Sequence, residues 1–155
     1  MERVDVDAVD RVPDSATVKR PLSRALGATH LALNRYELAP GDSFAYGYHR
    51  HSSQEEVFVI ERGTVTFETE AGDVEVGAGE AVRFAPGEFQ QGVNRGDERV
   101  VALAVGAPQD SGEVEILRDC PNCGERTPTT IDSADGGEVK ITRCLECGAE
   151  TGRFT

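Results

Sequence analysis

The sequence predicts an all-β protein, a small barrel or sandwich of short strands followed by a tail clipped by cysteines. Three observations carry this expectation. Turn signals recur at roughly 8–12-residue spacing, as in sandwiches and small barrels. Apolar residues alternate in short runs, and no segment keeps a helical stripe for three turns apart from a weak one around Val18 to Leu33. All four cysteines sit near the C-terminus as two Cys-x-x-Cys pairs.

Taken in order, residues 1–28 form an acidic arm interrupted by Pro13 and Pro21. It suits either a strand-like extension packed on a neighbour or a flexible leader. Strand signals begin at His30 with HLALNRYEL and stop at the Pro40-Gly41-Asp42 turn. EEVFVIER, TVTFETE, DVEV, EAVRFA, a short run from Gln90 to Val93, and RVVALAVG follow, each bounded by glycine-containing turns. Val65 and Phe67 point one way while Thr64, Thr66 and Glu68 point the other, and Val82 and Phe84 repeat the pattern. VFVI at 57–60 and VVALAV at 100–105 are apolar on both faces, so they need cover from a second sheet and from the arm or a homodimer partner. The barrel is expected over 29–107, a connecting strand or linker over 108–117, and the tail over 118–155.

Composition narrows the function classes. The chain of 155 residues has a formal charge of −12, with 28 acidic against 16 basic side chains. That surface repels phosphate backbones, which argues against nucleic-acid partners. No apolar run approaches the ~20 residues of a membrane helix. The N-terminus is acidic and lacks the apolar stretch of a secretory signal, so the chain reads as soluble and cytoplasmic. Only Lys19 and Lys140 are lysines; the other cations are arginines. A salt-saturated cytosol favours such an acid-rich, lysine-poor, halophilic composition; a GC-rich genome accounts for the lysine shortage but not the acidic excess.

The tail reads Cys120-Pro-Asn-Cys123-Gly and Cys144-Leu-Glu-Cys147-Gly. Two residues between cysteines let a tight turn aim both sulfurs at one ion, and Gly124 and Gly148 permit the backbone that turns amides toward the thiolates. Four thiolates suit a closed, structural zinc site, with the insert forming a hairpin around Gly136-Gly137. Disulfides and a Cys-Pro-x-Cys redox pair compete, but a cytosolic setting disfavours the first and the redox motif needs no second pair. The segment resembles zinc ribbons over its whole length. From Arg118 to Thr155 five basic side chains face seven acidic ones, so the ribbon suits a folding clip or a protein-docking surface better than nucleic acid.

The other constellation is Gly-Tyr-His49-Arg-His51-Ser-Ser-Gln-Glu-Glu56. Two positions apart on a strand, His49 and His51 project from one face; Glu56 opens the next strand in phase with Phe58 and Ile60. Two imidazoles and a carboxylate converging inside a barrel would make a facial triad with open positions. Here the sequence resembles the cupin superfamily. His49, His51, Glu56 and Gly63 satisfy its first motif in register, with Ser43 where the leading Gly would fall. Gly79, Gly87 and Asn94 satisfy the second, with Ala85 at the expected Pro and Gln90 at the expected His.

That resemblance covers about residues 30–107. It implies a double-stranded β-helix or jelly-roll barrel, commonly dimeric, with a divalent metal (Fe, Mn, Ni or Zn) in its mouth. His49, His51 and Glu56 would hold the ion, and Gln90, whose amide oxygen is a weaker donor than imidazole, is an optional fourth ligand. Tyr46, Tyr48, Arg83, Phe89 and Gln91 are pocket-lining candidates by position, and His30 reads as an ordinary strand or core histidine. Two functions fit. One is a metal-dependent enzyme acting on a small molecule, with no second acid or base evident. The other is a non-catalytic small-molecule-binding or sensory module whose ribbon docks a protein partner.

Overall fold

A computed structural model describes residues 1–155. Thirteen strands run through the chain, and no helix is long and apolar enough to cross a membrane. The arm contributes a 3₁₀ turn at Val6–Ala8, β1 (Val18–Pro21) and a short helix α1 (Leu22–Leu26). The barrel follows with β2 (Ala32–Leu38), β3 (Tyr48–His51), β4 (Glu55–Arg62), β5 (Thr64–Thr69), β6 (Gly72–Gly77), β7 (Ala81–Phe84), β8 (Gln90–Val93) and β9 (Val100–Ala107). The last four strands are β10 (Val114–Asp119), β11 (Arg126–Ala134), β12 (Val139–Cys144) and β13 (Glu150–Phe154).

These make two antiparallel sheets. One has the order β1-β2-β9-β4-β7, the other β13-β12-β11-β10-β3-β8-β5-β6. The β10 strand overlaps the segment expected to be a connecting strand or linker and runs into the tail. It pairs with β3 on one side and β11 on the other, so barrel and tail share one continuous sheet. The arm does not lead away from the molecule. Its β1 adds to the sheet edge beside β2, and Asp42 fastens Thr17 through its backbone amide and hydroxyl at 2.7 and 2.5 Å. The weak helical stripe resolves into that strand and one helical turn, because Gly27 adopts a left-handed conformation (φ 67°) and ends α1. His30 lies exposed in the bend before β2, neither in a strand nor in the core.

Between the sheets is a core in which Phe44, Phe58, Phe67 and Phe84 are joined by Tyr36, Leu38, Ile60, Val65 and Val100. Phe44 stacks on Phe58 at 4.8 Å between ring centroids, and Phe67 meets Phe58 at 5.1 Å and Phe84 at 5.2 Å. The other two phenylalanines lie outside this cluster, Phe89 stacked on Tyr48 and Phe154 edge-on to Tyr46. On β9 burial alternates strictly, with Val100, Ala102 and Ala104 inside. The opposite face keeps the second apolar row, Val57 paired with Val105 and Val59 with Leu103; Val59 remains 36% exposed.

Gly92 on β8 is required by the aromatic cluster. A Cβ at that position would lie 2.6 Å from both Phe44 Cδ2 and Phe67 Cε1. Gly92→Ala is therefore expected to cost about 1–3 kcal/mol through overpacking, read as a lower urea midpoint at unchanged slope. An unchanged midpoint would mean that the rings move aside at no cost.

Candidate functional site

Strand geometry builds the barrel site from both sheets. His49 and His51 project inward from β3, and the short Ser52-Ser53-Gln54 link crosses to β4, which begins by presenting Glu56. Gln90 lies directly opposite His49 in the β3–β8 register. One ligand atom from each of His49, His51 and Glu56 lies within 4.8 Å of the other two. Glu56 Oε2 is 3.6 Å from His49 Nε2 and 3.3 Å from His51 Nε2, and it accepts a hydrogen bond from Gln90 Nε2 at 2.8 Å.

Polar pairing around these atoms defines what they can do. The carbonyl of Gly47 lies 3.0 Å from His49 Nδ1 and can accept a hydrogen bond from it; in that tautomer Nε2 turns its lone pair toward the cluster, where the Gln90 amide nitrogen lies 3.3 Å away. Burial acts to raise the Glu56 carboxyl, but His49 and His51 outweigh it by hydrogen bonding and charge and hold the group at about 2. Glu56 is thus a carboxylate at neutral pH. His51 Nε2 has only Glu56 Oε2 nearby, at 3.3 Å, and Gln90 Oε1 is buried without a hydrogen-bond partner, a cost that a cation ligated by these two atoms would relieve. Two imidazoles, a carboxylate and an amide oxygen suit a divalent ion of the Fe, Mn, Ni or Zn kind, so the residues fit such a group. A half-turn of the Gln90 amide would present its oxygen in place of its NH₂ group.

The surrounding cavity is small, about 190 Å³. Of the lining candidates read from sequence, Tyr46 faces it; burial raises its hydroxyl to about 12. Tyr48 and Phe89 instead stack on each other with Arg126 over Tyr48 and Arg50 over Phe89. The exposed Arg83 pairs with Glu55 at 2.5 Å, and Gln91 follows Gln90 in β8 and therefore takes the alternate face. Among the lining residues that the sequence reading did not single out are Asp14, Lys19 and Tyr36. Tyr36 was legible as the inward neighbour of Leu38 on β2, and Lys19 as one of two lysines in an arginine-rich chain. Asp14 carried no signal. From the far end of the chain, Val114 and Ile116 on β10 and Ile131 on β11 also reach this wall.

The second cluster is Cys120, Cys123, Cys144 and Cys147, whose sulfurs likewise lie within 4.8 Å of one another. Gly124 and Gly148, both at φ 76°, donate backbone N–H bonds to the carbonyls of Cys120 and Cys144, each at 2.9 Å. Cys120 Sγ accepts from the Cys123 amide at 3.4 Å, and Thr127 Oγ1 lies 3.1 Å from Cys144 Sγ. The Thr127 contact, then backbone amides, lower the Cys144 thiol to about 6, favouring the thiolate that a soft metal needs. The hairpin β11–β12 turns at Asp135–Gly137, and four closely spaced cysteines on two such turns fit a small zinc ribbon.

Comparison with known proteins agrees with this architecture. Residues 34–106 match the family model described as Cupin domain. No curated protein matches the chain in sequence. Among solved structures, the fold is similar to that of a sugar phosphate isomerase from Silicibacter pomeroyi DSS-3, at 20% identity and a TM-score of 0.62, over 99% of this chain and 92% of that one. It is also similar to a predicted oxalate decarboxylase from Thermotoga maritima, at 22% identity and a TM-score of 0.60, over 69% of this chain and 99% of that one. A polyketide cyclase from Streptomyces resistomycificus aligns at 25% identity and a TM-score of 0.61, over 74% of this chain and 83% of that one. The barrel is a cupin-type double-stranded β-helix, and three reaction names on one fold leave the reaction to the site.

The tail cluster has its own test. In Cys120→Ser, tight zinc binding should be lost and the tail should become protease-sensitive, measured by metal analysis and limited proteolysis of the full chain. Stoichiometric zinc retained in that variant would rule out four-thiolate ligation.

Proposed function

We propose that the chain is a metal-dependent cupin that holds a divalent ion at His49, His51 and Glu56 and acts on a small molecule in the barrel mouth. The convergence of these three ligand groups within 4.8 Å of one another, beside the buried and unpartnered Gln90 Oε1, carries the reading. A bound ion would supply Lewis-acid polarisation of a ligand oxygen. The chain's own residues do the rest. Gly47 orients His49, Gln90 donates its NH₂ group to Glu56, and a turn of that amide would offer its oxygen as a neutral fourth donor in place of an imidazole. The fold's neighbours carry isomerase, decarboxylase and cyclase names, and none of those reactions is assigned to this chain. Zinc held by the four cysteines serves in this reading as a structural clip.

Metal analysis separates this reading from a metal-free binding module. Protein purified without chelators and reconstituted with Fe(II), Mn(II) or Ni(II) should hold one zinc and a second divalent ion per chain. His49→Ala should lose the second ion and keep the zinc. If only zinc is found after all three reconstitutions, the barrel is a metal-free module and the proposal fails.

A second copy of the chain is the proposed cover for the outer face of β4 and β9. Its apolar row of Val57, Val59, Leu103 and Val105 is bordered by both signs of charge, with Arg83 and Arg35 beside Glu55 and Glu61, which lets an identical face dock in antiparallel fashion. Light scattering should give twice the chain mass for the native protein and the single-chain mass for Val59→Asp. A native monomer at tens of micromolar would refute this interface.

A further inference from the structure

The cavity that takes in the His49, His51 and Glu56 cluster is also lined by Lys19, Asp14 and Tyr36, all from segments before β3. Lys19 on β1 lies directly opposite Tyr36 on β2, with its Nζ 5.4 Å from the Tyr36 ring centroid. Behind it, Asp14 Oδ2 accepts from Lys19 Nζ at 2.7 Å, and Asp14 Oδ1 accepts from the amide and hydroxyl of Ser15 at 2.8 and 3.1 Å. The Asp14 side chain is only 3% exposed while that of Lys19 is 26% exposed, so the carboxylate is spent on orienting a lysine that also lines the cavity.

The choice of residue is informative. Apart from the site histidines, every other cation in an ion pair is an arginine, and this is the pair with the most buried carboxylate. An arginine would serve the Asp14 contact through its planar fork, whereas a lysine is a compact point charge with three donors to share between two anions. Burial acts to lower the Lys19 ammonium, but the Asp14 carboxylate, through charge and a hydrogen bond, holds it above its ordinary value; burial raises Tyr36. Both groups are therefore hydrogen-bond donors at neutral pH, which suits holding an anion and not abstracting a proton.

Charge balance ties this pole to the metal. Without an ion and with His49 and His51 neutral, the carboxylates of Glu56 and Asp14 outnumber the single ammonium, which opposes an entering anion. A divalent ion on the triad reverses that sign. At roughly 30 Å³ per water, the cavity has room for about six waters or a ligand of similar bulk.

We propose that Lys19 and Tyr36 form the binding pole for an oxyanion, a carboxylate or phosphate group, of the small molecule whose remaining oxygens approach the metal triad. This rests on the metal reading above and extends it to a ligand class.

The test uses full-length protein carrying ribbon zinc and loaded with Mn(II), which a four-thiolate site holds poorly. Loading is followed by electron paramagnetic resonance; oxalate and, separately, inorganic phosphate are then titrated calorimetrically. The informative variant is the double substitution Asp14→Asn with Lys19→Met, which removes both buried charges and leaves the net charge unchanged. It should load Mn(II) like the wild type yet bind the preferred anion at least about tenfold more weakly. Lys140→Met, on the exposed face of β12, should bind as the wild type does. Loss of oxalate binding alone assigns a carboxylate, and loss of phosphate binding alone assigns a phosphate. Anion affinity within twofold of wild type in the double variant, or no binding of either anion to the Mn(II)-loaded wild type, overturns the inference and leaves the metal reading standing. Failure of the wild type to take up Mn(II), Fe(II) or Ni(II) removes both. If the pair only fastens the arm, the double variant melts earlier but binds normally.

Discussion

Strand β3 has only four residues, yet its two hydrogen-bonded edges set the position of nearly everything that bears on function. One edge meets β8 at the His49–Gln90 pair, which puts the fourth candidate donor across from the first imidazole. The other edge meets β10 from Val114 opposite His51 to Leu117 opposite Tyr48. Because side chains alternate along a strand, a one-residue slip in either pairing would turn both imidazoles to the outer face. The register is defended by close packing. A Cβ on Gly47 would come within 2.8 Å of the Leu117 carbonyl oxygen and 2.9 Å of Ile116 Cγ2, so the chain before β3 fits against β10 only as glycine.

Through β10 the same constraint reaches the tail. The barrel strand that flanks β3 pairs in turn with β11, the first strand of the cysteine-bearing hairpin. Arg118 on β10 reinforces the joint, donating to the Thr151 and Tyr46 carbonyls and lying over the Phe154 ring at 5.3 Å. Ile131 from β11 then reaches the cavity wall. The ribbon is therefore part of the wall of the barrel mouth as well as an appendage. Its tight cysteine turns fix a hairpin that has little core of its own, and that hairpin holds β10 against the histidine strand.

How much of this was legible in the sequence depends on whether the signal is local. Alternation located β4, β5, β6, β7, β8 and β9 to within a residue or two, because each strand buries one face and carries its pattern in consecutive positions. The ligand set of His49, His51 and Glu56 was legible for the same reason, being fixed by two strand phases and one short link. The cysteine cluster was legible because two similar turns repeat. The arm and β10 were not. Their pairing partners lie far along the chain, Lys19 opposite Tyr36 and Ile116 opposite His49, and neither EVEILRD nor VKRP has an apolar pattern that announces a partner. Tyr48 and Phe89 were misleading by proximity. They flank ligand residues in sequence, and the alternation that sends His49 inward sends Tyr48 outward to stack on Phe89.

Gln90 alters the polar balance around Glu56. With its NH₂ group toward Glu56, the amide partly compensates a buried carboxylate, at the cost of leaving its own oxygen unpartnered. A cation cannot share that arrangement, since an amide NH₂ repels it. Ligation of an ion by Gln90 would need the 2.8 Å bond to Glu56 broken and the amide turned about, giving up a hydrogen bond to a charged group of about 1.5–3 kcal/mol. An imidazole at this position would have a competing state of its own, a ring N–H donated to Glu56, so the two residues differ chiefly in the weaker donation of the amide oxygen. Affinity for an ion would then rest more heavily on His51, whose Nε2 has only Glu56 nearby, at 3.3 Å. The formal charge of the whole surface is −12, which concentrates cations around the molecule and offsets part of that loss.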